Sequence, residues 1–147
     1  MDAAALRLAI SDRIRTHTAD LVESGLPLGP SAEGAATNDR AFRIVFLEDE
    51  NEGNRTTGKA GGILRVIQRF DIELGHQGNP ELGGAIWDRA LADESTVRDA
   101  LSLYVAGDTF APVQNSLFYQ GKAPPTYEAG SMYRLVLLRF QVTYTQT

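Results

Sequence analysis

The chain has 147 residues, of which 43% are hydrophobic and 22% charged, and this is typical of a single globular domain, residues 1–147, with a real apolar core. Its 14 basic and 19 acidic residues give a net charge of -5, which excludes a protein whose main task is to neutralise nucleic-acid phosphates. With no cysteine and two histidines, disulfides, thiolate sites and a His-rich metal site are excluded, and we expect no cofactor.

The N-terminal segment has the spacing of an amphipathic helix. Its apolar stripe recurs at steps of three and four and comprises Leu6, Ile10, Ile14, His17 and Leu21. This period predicts one helix over residues 3–24, ended by Gly25 and Pro27. His17 lies on the stripe, so we expect it to pack in a half-buried position rather than act as a catalyst.

Nothing in the sequence suggests export or a membrane. No segment approaches the run of roughly 18 apolar residues that a membrane span needs. Asp2 stands where a secretory signal would carry positive charge. We therefore expect no membrane contact and synthesis and assembly in a cytoplasm.

The middle of the chain predicts a hairpin. Loop composition over residues 25–40 precedes a short β-type run, 42–47, and an acidic, glycine-containing stretch over 48–62 without periodicity predicts the connecting loop. From 64 to 74 the residues alternate, which predicts a strand with one apolar and one polar face. The polar face carries Arg65, Arg69, Asp71 and Glu73, whereas Ile67 and Gln68 break the pattern.

The second half begins with a helix signal at residues 79–81, Asn-Pro-Glu. The helix would carry Leu82, Ile86, Trp87, Ala90 and Leu91. Residues 93–96 either interrupt it or begin a second segment, 97–103. A strand with a bend at Ala111–Pro112 is expected over 104–119, then a loop over 121–130.

The last segment, 133–145, alternates again. One face carries Val136, Leu138, Phe140, Val142 and Tyr144. The order of elements predicts an α+β two-layer sandwich, a mostly antiparallel sheet with two helical regions packed on one face.

Two loop motifs invite a binding site. Residues 58–62, Gly-Lys-Ala-Gly-Gly, lack the remaining positions of a phosphate-binding loop, and a strand follows instead of a helix. The acids Glu48, Asp49, Glu50 and Glu52 fail the spacing of a calcium loop, because Arg55 and Lys59 follow. We interpret the stretch as a solvated hairpin tip, with docking on a neighbouring subunit through charge pairs as its functional alternative.

No residues meet the requirements of an enzyme. His76 is expected in a loop without a partner, and Asp88 and Asp93 need not face each other, so acid–base catalysis is not supported. The arginines on strand faces, Arg65, Arg69, Arg134 and Arg139, either keep exposed sheet surfaces from associating or provide specificity at a subunit contact. We expect no catalytic, cofactor-binding or metal-binding residue.

The order of segments resembles the tail terminator proteins of long-tailed bacteriophages, the lambda-like type of minor tail protein. The resemblance rests on residues 6–12, Leu-Arg-Leu-Ala-Ile-Ser-Asp, in the first helix and on the alternating strand 64–74. It rests also on residues 138–144 of the last strand, Leu-Arg-Phe-Gln-Val-Thr-Tyr. The loop 25–40 and the segment 106–131 do not align with the family pattern.

The resemblance implies an α+β subunit that assembles as a hexameric ring in the tail–neck region of a virion. The ring would cap the tail tube, stop its polymerisation and provide the surface to which the head joins. Its partners would be copies of itself, the tail tube protein and head–tail connector or neck proteins, with DNA only passing through the lumen.

On this hypothesis, the candidate subunit or tube contact is the hairpin with its flanking cations. Its residues are Glu48, Asp49, Glu50, Glu52, Arg55, Lys59, Arg65 and Arg69. Two alternatives remain open. One is another neck, head-completion or tail-completion protein, and the other is a small-ligand-binding α+β domain.

Overall fold

The computed structural model describes residues 2–29, 39–51, 64–102, 117–128 and 130–146. The helical elements are α1 (Ala3–His17), a 3-10 helix (Pro80–Ala85) and α2 (Asp88–Ser102). The strands are β1 (Val22–Glu23), β2 (Ala41–Asn51), β3 (Leu64–Gln77), β4 (Phe118–Lys122), β5 (Thr126–Glu128) and β6 (Tyr133–Gln146).

The strands form one six-stranded sheet in the order β1-β2-β3-β6-β4, with β5 also pairing with β6. All pairs are antiparallel except β1–β2, which is parallel. The two longest strands, β3 and β6, pair along their whole length, from Leu64 opposite Gln146 to Gln77 opposite Tyr133. The predicted α+β fold with a mostly antiparallel sheet is confirmed.

The core lies between the helices and one face of the sheet. Helix α1 contributes Leu6, Ile10 and Ile14, all fully buried, and α2 contributes Val97 and Leu101. These residues pack on a fully buried set from the strands: Phe42, Phe70, Ile72, Leu74, Val136, Leu138, Phe140 and Val142. The rings of Phe70 and Phe140 stack across β3 and β6 with centroids 5.5 Å apart.

The alternation of the two long strands is confirmed. Every residue of the predicted apolar face of β6 is buried. On β3 the even-numbered residues face the helices, and Gln68 lies among them with 3% exposure. Its side-chain amide is accommodated because it donates to the backbone carbonyls of Leu47 and Arg69.

The first helix is shorter than the sequence indicates. It ends at His17, with Thr18 extended at its C-terminus, and Val22–Glu23 form a strand instead of its last turn. The Thr18 hydroxyl accepts a hydrogen bond from the amide of Asp20, a local turn that competes with helix continuation. His17 is exposed, so its prediction as a half-buried residue was wrong.

The helical region after β3 consists of a 3-10 helix and α2, and the boundary between them differs from the prediction. Asn79 caps a 3-10 helix as predicted, but Gly83 has a φ of 57° and kinks the chain before α2 begins at Asp88. Leu82 and Leu91, expected on the buried side, are 55% and 47% exposed. Helix α2 runs unbroken through residues 93–96, and its buried positions include Asp93 and Glu94.

The remaining expectations concern loops. Strand β2 continues to Asn51, through the start of the predicted loop 48–62, and the residues of that loop from 52 onward lie outside the described part. The predicted strand 104–119 is described only from residue 117, so its bend lies outside as well. Strands β4 and β5 occupy part of the segment 121–130 that we expected to be a loop.

Candidate functional site

Part of the predicted subunit or tube contact lies in the described residues, at the acidic end of β2. Glu48, Asp49 and Glu50 are exposed; Glu48 lies within an irregularity in the pairing of β2 with β3, and Asp49 and Glu50 follow it. Arg69 on β3 lies 3.7 Å from Glu48 and 3.5 Å from Glu50, measured between guanidinium nitrogens and carboxylate oxygens. These distances describe loose, partly solvated pairs of small energetic value.

Of the other predicted contact residues, the structure describes one, Arg65. Arg65 is exposed on β3, four residues before Arg69 and on the same face. Glu52, Arg55 and Lys59 lie outside the described residues. The structure therefore brings together Glu48, Glu50 and Arg69, with Asp49 beside them on β2.

Ion pairs continue along the face of the sheet that points away from the helices. Asp71 accepts hydrogen bonds from Arg139 at 2.9 and 3.2 Å, and these bonds raise the pKa of the Arg139 guanidinium. Arg43 on β2 lies 3.5 Å from Glu73 on β3. Burial raises the pKa of Glu73, and the charge of Arg43 opposes that shift.

A buried ionic cluster lies at the opposite end of β3, between the sheet and α2. Nε2 of His76 is 2.7 Å from Oδ2 of Asp93, and Arg40 donates to both carboxylate oxygens of Asp93 at 2.9 and 3.1 Å. Burial alone would raise the pKa of Asp93, but the hydrogen bonds and charges of His76 and Arg40 lower it to about 2.

The next residue of α2 makes the second half of this cluster. Glu94 accepts from Arg134 at 2.9 Å and from Lys122 at 3.2 Å, and both Glu94 and Arg134 are 2% exposed. Arg134 lies directly opposite His76 in the pairing of β3 with β6. Among the residues that the structure describes, buried Nδ1 of His76 and buried Nε and Nη1 of Arg134 have no hydrogen-bond partner.

This buried cluster corrects two predictions. His76 is a strand residue with a carboxylate partner rather than a loop residue without one. Arg134 is buried beneath α2 rather than displayed on an exposed strand face. Asp93 pairs with His76 and Arg40, which agrees with the expectation that Asp88 and Asp93 need not face each other.

The contacts of this cluster favour a structural role. A histidine–carboxylate pair can serve a catalyst, but His76 is only 2% exposed and a substrate has no direct access to it. What the arrangement does is join α2 to β3, β4 and β6 through consecutive acids of one helix. The burial of His76 could have been predicted from the sequence, because its even number places it on the core-facing side of β3.

An arginine-lined cleft of about 560 Å³ lies where β1 ends, and we call it the arginine cleft. Its lining residues are Arg7, Arg15, Glu23, Ser24, Gly25, Arg43 and Ile44. Glu23 accepts from Arg7 at 2.6 Å, from Arg15 at 3.0 Å and from the Ser11 hydroxyl. The two arginines of α1 are thereby held at the edge of the sheet, with about half of each side chain exposed.

Across the described ranges, no three histidine, aspartate or glutamate side chains are grouped so as to hold a metal ion. Within those ranges, no helix has the length and apolar character needed to cross a membrane.

No protein-family model matches the chain, and no curated protein matches it.

Proposed function

We propose that the protein is a structural, non-enzymatic subunit of a long-tailed phage or phage-like particle. Its role would be that of a tail terminator, which caps the tail tube, ends its polymerisation and forms the head–tail joining surface. The protein would act in the tail–neck region of the virion after assembly in the host cytoplasm. The proposal combines the resemblance of the first helix and the two long strands with the α+β fold.

The observation that carries the proposal is the separation of positive and negative charge along β2. Arg43 stands near the start of this strand, in the arginine cleft, whereas Glu48, Asp49 and Glu50 stand near its end. A ring needs two unlike surfaces on each subunit, because every copy contacts its two neighbours through different faces. One strand with a basic residue near its start and acidic residues near its end supports two such surfaces.

The buried polar groups support a structural role as well. The 2.7 Å contact of His76 with Asp93 and the ion pair of Arg134 with Glu94 join a helix to the sheet, and these side chains are almost fully buried. Interactions of this kind stabilise one arrangement of helix and sheet, which suits a subunit that must present fixed surfaces to several partners.

The test is capping of tail tubes. Tubes assembled from the tube protein of the same phage are incubated with the chain, and tube length and end occupancy are measured by electron microscopy. We expect density at one tube end and an arrest of further growth. Binding to portal rings instead of tube ends would reject the terminator role in favour of another neck protein.

The solution mass is the companion measurement. Light scattering over a wide concentration range is expected to reach a species near six times the 16.0 kDa chain mass, alone or when tube ends are supplied. Absence of such a species in both conditions would contradict the ring.

A further inference from the structure

We propose that the arginine cleft of one copy binds the acidic end of β2 of a second copy, so that Arg7, Arg15 and Arg43 contact Glu48, Asp49 and Glu50. The proposal rests on the ring proposed above and assigns its subunit contact to two described surfaces. It commits to a second copy of this chain as the occupant of the cleft.

The first argument is a sheet edge that the described part of the chain leaves open. Strand β1 pairs with β2 only through Val22 opposite Ala41 and Glu23 opposite Phe42. After Phe42, β2 continues to pair with β3 on one side. On its other side, no strand among the described residues pairs with it. An uncovered strand edge presents backbone donors and acceptors to which a further strand can add. The arginine cleft lies at the point where this edge becomes open.

The second argument is charge. Three guanidinium groups and one carboxylate line the cleft, and counting Glu73 beside Arg43 still leaves an excess of positive charge. Three carboxylates stand at the end of β2, and Arg69 lies 3.7 Å from that of Glu48 and 3.5 Å from that of Glu50. The planar guanidinium group matches the geometry of a carboxylate, and so arginine is the preferred cation at such contacts.

Glu23 shows that the cleft accommodates a carboxylate. Its side chain is 12% exposed and already accepts hydrogen bonds from Arg7 and Arg15. Each of these arginines keeps about half of its surface open, and Arg43 keeps 29%, so further guanidinium donors face the cleft. A second carboxylate would find donors that Glu23 does not occupy.

The contact must form between copies. Arg43 and Asp49 are six residues apart on one extended strand, which places them about 20 Å from each other. The acidic end of a chain therefore cannot reach its own cleft while β2 is intact. Each copy carries one basic and one acidic surface, so the contact can repeat from copy to copy.

The experiment exchanges the charges. One variant carries Glu48→Lys, Asp49→Lys and Glu50→Lys, a second carries Arg7→Glu and Arg15→Glu, and Asp99→Lys on the exposed side of α2 is the matched control. Circular dichroism and thermal unfolding report whether each variant folds. Sedimentation velocity then measures the concentration at which each one assembles.

We expect each charge-reversed variant to assemble at a concentration at least about tenfold higher than wild type, because opposed charges become like charges. An equimolar mixture of the two variants should assemble again, since each supplies the surface that the other has lost. Assembly of the wild type should weaken between about 0.1 and 1 M salt, as the screening length falls from about 10 Å to about 3 Å.

The Arg7→Glu change places two acids together and can impair folding, so Arg15→Gln serves as a milder cleft variant with a smaller expected effect in the same direction. Unchanged assembly of the folded variants would overturn the contact and leave the ring standing. A wild type that stays monomeric at about 1 mM would also overturn it, whereas tube-end binding decides the terminator role separately. Thermal stabilisation by inorganic phosphate that is lost in the cleft variants, with assembly unaffected, would assign the cleft to a small anion.

Discussion

Nε2 of His76 lies 2.7 Å from Oδ2 of Asp93, which joins the end of β3 to the middle of α2 inside the protein. Both side chains are almost fully buried, and Arg40 completes the group from the residue before β2. A carboxylate in this position is stabilised only while its cationic and hydrogen-bonding partners are present. The contact therefore makes the docking of α2 on the sheet sensitive to single changes of charge.

Asp93→Asn should destabilise the fold by about 3 kcal/mol, because it removes the buried carboxylate that binds His76 and Arg40 and leaves Arg40 with the more distant, exposed Asp20 at 3.5 Å. Urea denaturation followed by circular dichroism measures the change. Asp99→Asn is the matched control, since Asp99 is exposed on the same helix, and it should change stability by less than about 0.5 kcal/mol. Equal effects of the two substitutions would contradict a structural role for the His76–Asp93–Arg40 group.

Low pH should remove the contribution of ionised Asp93 to the free energy of unfolding. Its pKa falls from the ordinary value of 3.8 to about 2 in the folded chain, so its ionised form favours the folded state. The stabilisation is complete above about pH 5 and is lost as the pH falls through 3.8 towards 2. The difference in unfolding free energy between wild type and Asp93→Asn should therefore shrink between pH 7 and pH 3. A difference that stays constant over this range would show that the carboxylate is not held by charge.

Glu94 and Arg134 should show strong coupling. Arg134→Met leaves Glu94 buried with Lys122 alone, and Glu94→Leu leaves Arg134 buried without its carboxylate, so each should cost about 3 kcal/mol. The double variant should cost less than the two single changes added together, by about 2 kcal/mol, because neither charge is left behind. A double-mutant cycle in urea measures this. Simple additivity would mean that the two side chains do not depend on each other.

The long strands could be predicted from the sequence, whereas the buried cluster could not. Strands β3 and β6 alternate strictly enough for Phe70 and Phe140 to be assigned to the core without a structure. The partners of the cluster are distant in sequence: Asp93 and Arg40 are 53 residues apart, and Glu94 and Arg134 are 40 apart. Consecutive acids on a helix normally indicate a solvated face, and only the tertiary arrangement reverses that expectation.

The first helix shows that helical periodicity does not locate the end of a helix. Leu21 has helical spacing from Ile14 and His17 and is buried, but it reaches the core from an extended segment. Periodicity reports which residues are buried and does not report where the helix ends. The acidic end of β2 could be predicted as a charged surface, but the arginine cleft could not, because Arg7, Arg15 and Arg43 come from two separate elements.

Gly75→Ala should destabilise the fold by about 1–3 kcal/mol. A Cβ atom at this position would lie 1.8 Å from the hydroxyl oxygen of Tyr133, whose side chain is buried against β3. Gly84→Ala is the matched control, since in the described part of the chain no atom from a residue distant in sequence lies within 4 Å of its Cβ position, and it should be nearly neutral. Thermal and urea unfolding of both variants provides the comparison. Equal stabilities would mean that the Tyr133 ring moves aside without cost.

Shortening the segment 50–60 to a tight turn should separate folding from assembly. The buried residues of β2 and β3, among them Phe42, Phe70 and Ile72, lie outside that segment, so the monomer should unfold cooperatively within a few degrees of wild type. Ring formation or capping of tail tubes should be lost, because the shortening removes Glu50 and alters the acidic end of β2. Light scattering and electron microscopy of tube ends measure the two outcomes. A shortened chain that assembles and caps tubes normally would show that the subunit and tube contacts lie elsewhere on the fold.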